Sequence, residues 1–254
     1  MPDKKKAKLY ILIPTYNEKA NLPLVVKAIE KLNLDYDWWV MIIDDNSPDG
    51  TGKTALSYRE QGKNVLLLSR LRKEGLGKAY QAGFDKACQD NAELVVTMDA
   101  DLSHDPSCLP AILAETKSYD LVIGSRYVKG GKVIYPFHRR MLSVLANLFA
   151  KIMLGLKIHD ITSGYNCYNR QALEKIVAFH PSANGYVFQV EMHFLASQLG
   201  LKIQEVPIVF RDRRFGKTKM SLAEAFFGIF DIWRMREENS NLKSQNSKRK
   251  TGRH

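Results

Sequence analysis

The stretch "VVTMDADLSHDP" (95–106) runs from unbroken apolar residues into carboxylates at Asp99, Asp101 and Asp105. Its first half has the β-branched content of a buried strand and its second half the residues of a turn, so the chain crosses a core and surfaces here. On an extended backbone, side chains two apart point the same way. Asp99 and Asp101 would then repel each other unless a cation lay between them. A solvated turn, an acid/base pair and a pair of ligands for a hard cation all fit D-x-D. Oxygen-only ligands suit Mg2+ or Mn2+, which bridge a few carboxylates to phosphates. No His or Cys cluster offers a softer site, and His104 reads as a structural residue of the turn.

Outward from this stretch, "LYILIP" (9–14), "WWVMIID" (38–44), "NVLLLS" (64–69), "ELVVTMD" (93–99) and "DLVIGS" (120–125) read as buried strands. Residues 19–32, 52–61, 75–90 and 106–117 between them read as helices. Such alternation predicts an α/β fold, a mostly parallel Rossmann-like sheet flanked by helices. Ligands of such sheets collect outside the carboxyl ends of the strands. Those ends here carry "PTYNE", "DDNSPDGT", "SRLRKEGLG", "DADLSHDP" and "GSRY". Beyond residue 130 the pattern changes. Residues 138–156, 186–200 and 221–235 read as helices, and 202–210 as one more strand. Leu222, Phe226, Ile229, Phe230 and Trp233 form a stripe at helical spacing, fit for core packing or for a helix in a lipid headgroup region. From Glu237 the chain is polar and basic, the composition of a disordered tail.

The 254 residues carry a net charge of +11, with 45% hydrophobic and 26% charged residues, ordinary values for a soluble globular chain. Residues 1–8 and 237–254 each contribute +3, which leaves +5 on the body. That balance points to an anionic partner such as a phosphorylated substrate or an acidic membrane surface. No nucleic-acid-binding module accompanies the charge, so nucleic acid is not an expected partner. The three cysteines, Cys88, Cys108 and Cys167, have neither disulfide nor zinc spacing, as in a reducing compartment. No signal peptide opens the chain, and no apolar run reaches the roughly 18–20 residues that span a bilayer.

Eight segments in order give these features a common frame: "IPTYNE" (13–18), "IIDDNSPDGT" (42–51), "GLGKAY" (75–80), "MDADLSHDP" (98–106), "GSRY" (124–127), "DITSGYNCY" (160–168), "GYVFQVEM" (185–192) and "FRDRRFGKTKMS" (210–221). Together the segments resemble the family 2 glycosyltransferases of GT-A fold, and within them the polyprenyl-phosphate (dolichyl-phosphate) mannosyltransferases. No Q-x-x-R-W of processive synthases is present, which favours transfer of a single sugar. The resemblance implies metal-dependent, inverting transfer of mannose from GDP-mannose to a polyprenyl (dolichyl) monophosphate. A related sugar such as glucose from UDP-glucose stays open, as does a non-catalytic nucleotide-binding subunit of a membrane complex.

Residue by residue, the resemblance places Pro14, Tyr16, Glu18, Ile43 and Asp45 around the nucleoside. Asp99, Ala100 and Asp101 fall on the segment that holds the metal and diphosphate, with Asp99 and Asp101 as metal ligands. Ser103 stands where the family often has Gln, a further ligand. Arg126 matches an arginine that approaches the phosphates. Arg213 and Lys219 match the basic pair of a loop that Gly216 lets close over the donor. Arg126, Arg139 and Ser143 resemble the acceptor-phosphate site; Arg139, four before Ser143, shares its helix face, with Arg140 beside it. After "TSG" the family continues Phe-Arg or Phe-Lys, but this chain has Tyr165-Asn166. A phosphate monoester is largely ionised at neutral pH, so no catalytic base is needed, and charge stabilisation falls to Asp99, Asp101, Arg126, Arg213 and Lys219.

The implied organisation is a basic arm (1–8), a catalytic domain (9–220), an amphipathic, membrane-facing helix (221–236) and a disordered basic tail (237–254). A lipid acceptor implies a peripheral protein on the cytoplasmic face of a membrane, docked by helices 138–156 and 221–235 or through a small membrane-anchoring subunit.

Overall fold

A computed structural model describes residues 5–183, 185–212 and 231–237, without the side chains of residues 138 and 139. The first half follows the predicted alternation: β1 (Lys8–Thr15), α1 (Leu22–Glu30), β2 (Asp37–Asp44), α2 (Thr51–Glu60), β3 (Val65–Ser69), α3 (Leu76–Gln89), β4 (Leu94–Thr97), α4 (Leu109–Glu115) and β5 (Leu121–Ser125). The second half comprises β6 (Lys132–Ile134), α5 (Phe137–Leu154), β7 (Asn166–Asn169), α6 (Arg170–Val177), α7 (Val187–Gln198), β8 (Ile203–Pro207) and β9 (Val209–Arg211). Residues 231–237 are helical.

Seven strands form one sheet in the order β3-β2-β1-β4-β7-β5-β8, parallel except for β7, which runs against β4 and β5. Alternation along the strands builds a core on each face. Leu9, Ile11, Ile13, Val40 and Ile42 face α1 and α4, whereas Tyr10, Leu12, Met41 and Ile43 face α3 and α7. From β1 the chain moves outward to β2 and β3, then returns to place β4 on the other side of β1. Such a reversal opens a crevice at the carboxyl ends of β1 and β4, next to the D-x-D.

Several expectations are corrected. The strand read as 93–99 ends at Thr97, so Asp99 and Asp101 lie in the turn beyond it rather than on extended backbone. The helix read as 106–117 divides into a 3-10 turn, Pro106–Cys108, and α4. The strand read as 202–210 breaks at Ile208, whose N–H donates to Ser125 O (3.0 Å) before β9 pairs with β6 in a second small sheet. Neither β7 nor α6 was foreseen. The four residues of β7, NCYN, have little strand propensity and pair because strands flank them on both sides. Asn169 then ends β7 and caps α6, its side chain accepting from Ala172 N at 2.8 Å.

α5 turns Asn147, Ala150 and Leu154 inward and is ended by Gly155 in the left-handed conformation (φ 65°). Its outer face leaves Phe137, Met141, Leu145, Leu148 and Ile152 exposed along one stripe. Of the predicted helix 221–235, Ile232 and Met235 are buried against the core while Trp233 is exposed. Leu222, Phe226, Ile229 and Phe230 lie outside the described residues, as does the tail from residue 238. Glu237, placed in the tail from sequence, is helical. Among the described residues no helix is long and apolar enough to cross a membrane.

Candidate active site

The ends of β1 and β2 lie level, Thr15 opposite Asp44, and carry the first wall of the crevice. Asp44 is consumed in building it, with Oδ1 accepting from Thr15 Oγ1 (3.1 Å) and Ser47 Oγ (2.6 Å). Asp45 is buried and paired with Arg70 Nη1 at 2.6 Å. Burial raises its carboxyl pKa, and Arg70 offsets only part of that rise. Arg70, which sequence reading left unassigned in "SRLRKEGLG", is thus a member of the wall. Tyr16 is half-buried under Lys73 Nζ, 4.7 Å from its ring centre. Glu18 accepts from Asn21 Nδ2 at 2.7 Å, and Pro14 is partly exposed at the strand end. Ile43 departs from expectation: it is fully buried and packs where α3 passes at Gly83, so its side chain offers nothing to a nucleoside.

The D-x-D turn is held from behind. Asp99 N–H donates to His104 Nδ1 at 3.2 Å, which makes that ring nitrogen an acceptor. Burial lowers the pKa of His104 against the pull of Asp99 and Asp101, so the ring is neutral and serves as a prop. Asp101 is buried and accepts from Ser103 N at 3.0 Å; Ala100 is buried beside it. Leu102 takes φ 61°, a left-handed conformation that costs a bulky residue about 1–2 kcal/mol. Such strain persists where the surrounding structure enforces it, often at functional sites. β9 runs alongside, Arg211 N donating to Ser103 O at 3.1 Å.

Two observations fit a hard cation here. Among the described residues, Ser103 Oγ, Tyr80 OH and Gln189 Nε2 are buried without a hydrogen-bond partner. Ser103 Oγ is two residues from Asp101, and the phenol of Tyr80 has its pKa raised by burial first and then by the charges of Asp99 and Asp101. The hydroxyl oxygens of Ser103 and Tyr80 suit a hard cation or its water shell, whereas the Gln189 amide nitrogen can only donate to a ligand oxygen. Among the described residues no three His, Cys, Asp or Glu side chains gather as a metal cage. Mg2+ and Mn2+ do not need one, taking one or two carboxylates plus water and phosphate oxygens.

The opposite wall is built on an ion pair. Arg126 lies at the end of β5 and reaches Asp160 through Nε (2.8 Å) and Nη2 (2.7 Å), with Nη2 also on Thr162 Oγ1 (2.6 Å). Its backbone N–H donates to the same carboxylate at 2.8 Å. Burial opposes ionisation of both groups, but their mutual attraction prevails, raising the Arg126 pKa and lowering that of Asp160. Arg126, which the resemblance places near the phosphates, is thus paired with Asp160, which balances its charge. The guanidinium also lies 5.2 Å from the ring centre of Tyr127, whose hydroxyl meets Ser143 Oγ at 3.0 Å. Arg126 and Ser143 are thus brought together through Tyr127. The side chain of Arg139, one turn earlier in α5, lies outside the described set, and so do Arg213 and Lys219.

Between the walls, Thr97 Oγ1 donates to Gly164 O at 2.8 Å and fixes the loop that enters β7. Asn166, at the position where the resemblance calls for Arg or Lys, is fully buried. Its Nδ2 donates to Ser163 O (2.9 Å) and Gln189 Oε1 (3.0 Å), and its Oδ1 meets His193 Nε2 at 2.9 Å. His193 Nδ1 meets Ile161 O at 2.9 Å. Two acceptor oxygens favour a doubly protonated ring, whereas full burial favours a neutral one and moves the pKa to about 4. Ionising a buried ring with no carboxylate in contact costs more than one unmade hydrogen bond, so His193 is neutral at pH 7. Sequence reading missed Asp160 and Gln189 as site residues. Their signals were a leading acid in "DITSGYNCY" and a lone amide inside the apolar start of α7.

Residues 10–177 match the family model described as Glycosyl transferase family 2. Undecaprenyl-phosphate mannosyltransferase of Micrococcus luteus is 44% identical over 211 residues, 83% of this chain and 86% of that protein. Polyprenol monophosphomannose synthase of Mycolicibacterium smegmatis is 42% identical over 233 residues, 89% of this chain and 86% of that one. Among solved structures, glucosyl-3-phosphoglycerate synthase of Mycobacterium tuberculosis with phosphoglyceric acid superposes with TM-score 0.66 at 21% identity, covering 91% of this chain and 80% of that one. The same enzyme with Mn2+, UDP-glucose and phosphoglyceric acid also gives 0.66 at 21% identity, with 91% and 79% covered. These likenesses establish a shared α/β fold.

Proposed function

The chain belongs to glycosyltransferase family 2, and we propose that it transfers mannose from GDP-mannose to a polyprenyl (dolichyl) monophosphate with inversion at the anomeric carbon. The observation that carries this reading is the Asp99–Asp101 turn at the sheet's reversal point, with Ser103 Oγ beside it buried and without a partner among the described residues. The two mannosyltransferase relatives, each matched over more than four-fifths of its length, support the sugar and the lipid.

In the proposed reaction an oxygen of the lipid phosphate bonds to the anomeric carbon as the bond to GDP breaks, and GDP leaves with the electron pair. With a second pKa near ~6, the acceptor is already ionised at neutral pH and needs no base. A divalent ion, Mg2+ or Mn2+, held by Asp99 and Asp101 would neutralise charge on the departing diphosphate. The Mn2+ in the structural neighbour's complex supports a divalent metal as the ion. Tyr16, Glu18 and Asp45 with Arg70 hold the nucleoside side of the crevice. Arg126 is a positioning residue: pinned by Asp160, it orients Tyr127 and Ser143, which with Arg139 receive the acceptor phosphate. Arg213 and Lys219 contribute cationic charge on the donor; β9, which leads to them, is bonded to the D-x-D turn at Ser103.

α5 supplies the docking surface. Its exposed apolar stripe, Phe137 to Ile152, lies on the helix that carries Ser143, and the basic chain ends add attraction for anionic lipid. In this reading the protein is peripheral and works on the cytoplasmic face, and the same stripe is where a small anchoring subunit would sit. Incubating purified protein with radiolabelled GDP-mannose or UDP-glucose, polyprenyl phosphate and Mn2+ tests the reading. Labelled lipid from GDP-mannose is the expected result; labelling from UDP-glucose alone would replace the donor, and none from either would remove the transfer reaction.

A further inference from the structure

Gln189 lies in the first turn of α7, 3% exposed, between the buried Phe188 and Val190. Its orientation is fixed from a distance. The Ser163 carbonyl is a permanent acceptor, so the Asn166 amide must turn its nitrogen there, and the second hydrogen of that nitrogen goes to Gln189 Oε1. Nε2 of Gln189 is thereby the outward end, a donor with both hydrogens unused among the described residues.

It is buried across Gly164 from the D-x-D. A methyl group built on Gly164 would lie 3.9 Å from Gln189 Nε2, 3.9 Å from Asp99 Oδ1 and 3.3 Å from His104 Cε1. Glycine at 164 keeps a side chain out of the space between this carboxylate oxygen and this amide donor. The strand order says what belongs there. Nucleoside residues sit at β1 and β2, the residues assigned to the acceptor at β5 and α5, and Gly164 enters β7 between β4 and β5. The group lying between a nucleotide and an acceptor is the one transferred.

We propose that Gln189 Nε2 donates a hydrogen bond to a ring hydroxyl oxygen of the hexose being transferred, which makes it a sugar-selecting residue. This rests on the glycosyl-transfer reading above. Wild type and Gln189→Met are compared with the intact donor and with donors each lacking one hexose hydroxyl, alongside binding of GDP alone. Gln189→Met is expected to lower kcat/KM for the intact donor about tenfold or more, with GDP affinity unchanged. One deoxy donor is expected to suffer the same loss with wild type and no further loss with the variant. Gln189→Glu, which keeps the acceptor for Asn166 but loses the outward donor, gives the same pattern if the Met variant does not fold. Identical selectivity across the series in wild type and variant overturns the proposal, as does an equal loss of GDP binding. A wild type that transfers no hexose overturns the transfer reading itself.

Discussion

Replacing Asp160 by Asn tests the ion pair that organises the acceptor side. The carboxylate has no solvent exposure, its partner's side chain is 9% exposed, and three N–H groups of Arg126 converge on it within 2.8 Å. Asn keeps the shape but removes the charge, and it turns an amide nitrogen toward donors that need an acceptor. Arg126 cannot respond by losing its proton, since a guanidinium stays charged in proteins. The result is a buried cation without its counter-ion, a defect that costs about 3–5 kcal/mol. For a chain of this size each kcal/mol lowers Tm by about 2–4 °C, so a fall of roughly 6–20 °C is expected. Urea denaturation and calorimetry would read it. Adding Arg126→Met to Asp160→Asn removes the stranded charge and is expected to recover much of the loss. An Asp160→Asn protein within about 1 kcal/mol of wild type would refute the argument, because that is the scale of a solvent-screened surface pair.

Gly164→Ala places a methyl group against His104 and Asp99 in the crevice, and is expected to reduce kcat/KM for the sugar donor at least tenfold while leaving Tm within a few degrees. Changing Leu145 and Leu148 together to Glu is expected to abolish flotation with anionic liposomes without changing transfer to a short, water-soluble prenyl phosphate; retained flotation would remove α5 from the docking surface. His193, neutral in the fold with a pKa of about 4, has an ordinary pKa near 6.5 when unfolded. The unfolded chain therefore binds the extra proton first, and stability falls as pH drops from about 6.5 to 4, by roughly 3 kcal/mol. His193→Gln is expected to flatten that part of the stability–pH curve.

The parallel half of the fold was legible because its strands are buried on both faces and read as plain apolar runs separated by amphipathic helices. β7 was not, because Asn166 to Asn169 becomes a strand only through its neighbours. The D-x-D was legible as a place but not as a conformation: the strand stops at Thr97, and His104 and the strained Leu102 set the turn. Side-chain direction was the other blind spot. The resemblance placed Ile43 and Asp45 in one pocket, whereas strand alternation sends the Ile43 side chain into the core. The charge at Arg126 could be seen, but its neutralisation could not, because Asp160 is 34 residues away and reaches it only through the packing of the 160–164 loop beside β5.

The most direct test of the central claim is a crystal structure of the wild-type protein with Mn2+ and GDP, recorded at a wavelength where manganese scatters anomalously. The account predicts one manganese peak joining Asp99 or Asp101 to the diphosphate, lost in the Asp99→Asn/Asp101→Asn protein. Nucleotide bound elsewhere, or a diphosphate in the crevice with no manganese at these aspartates, would contradict it.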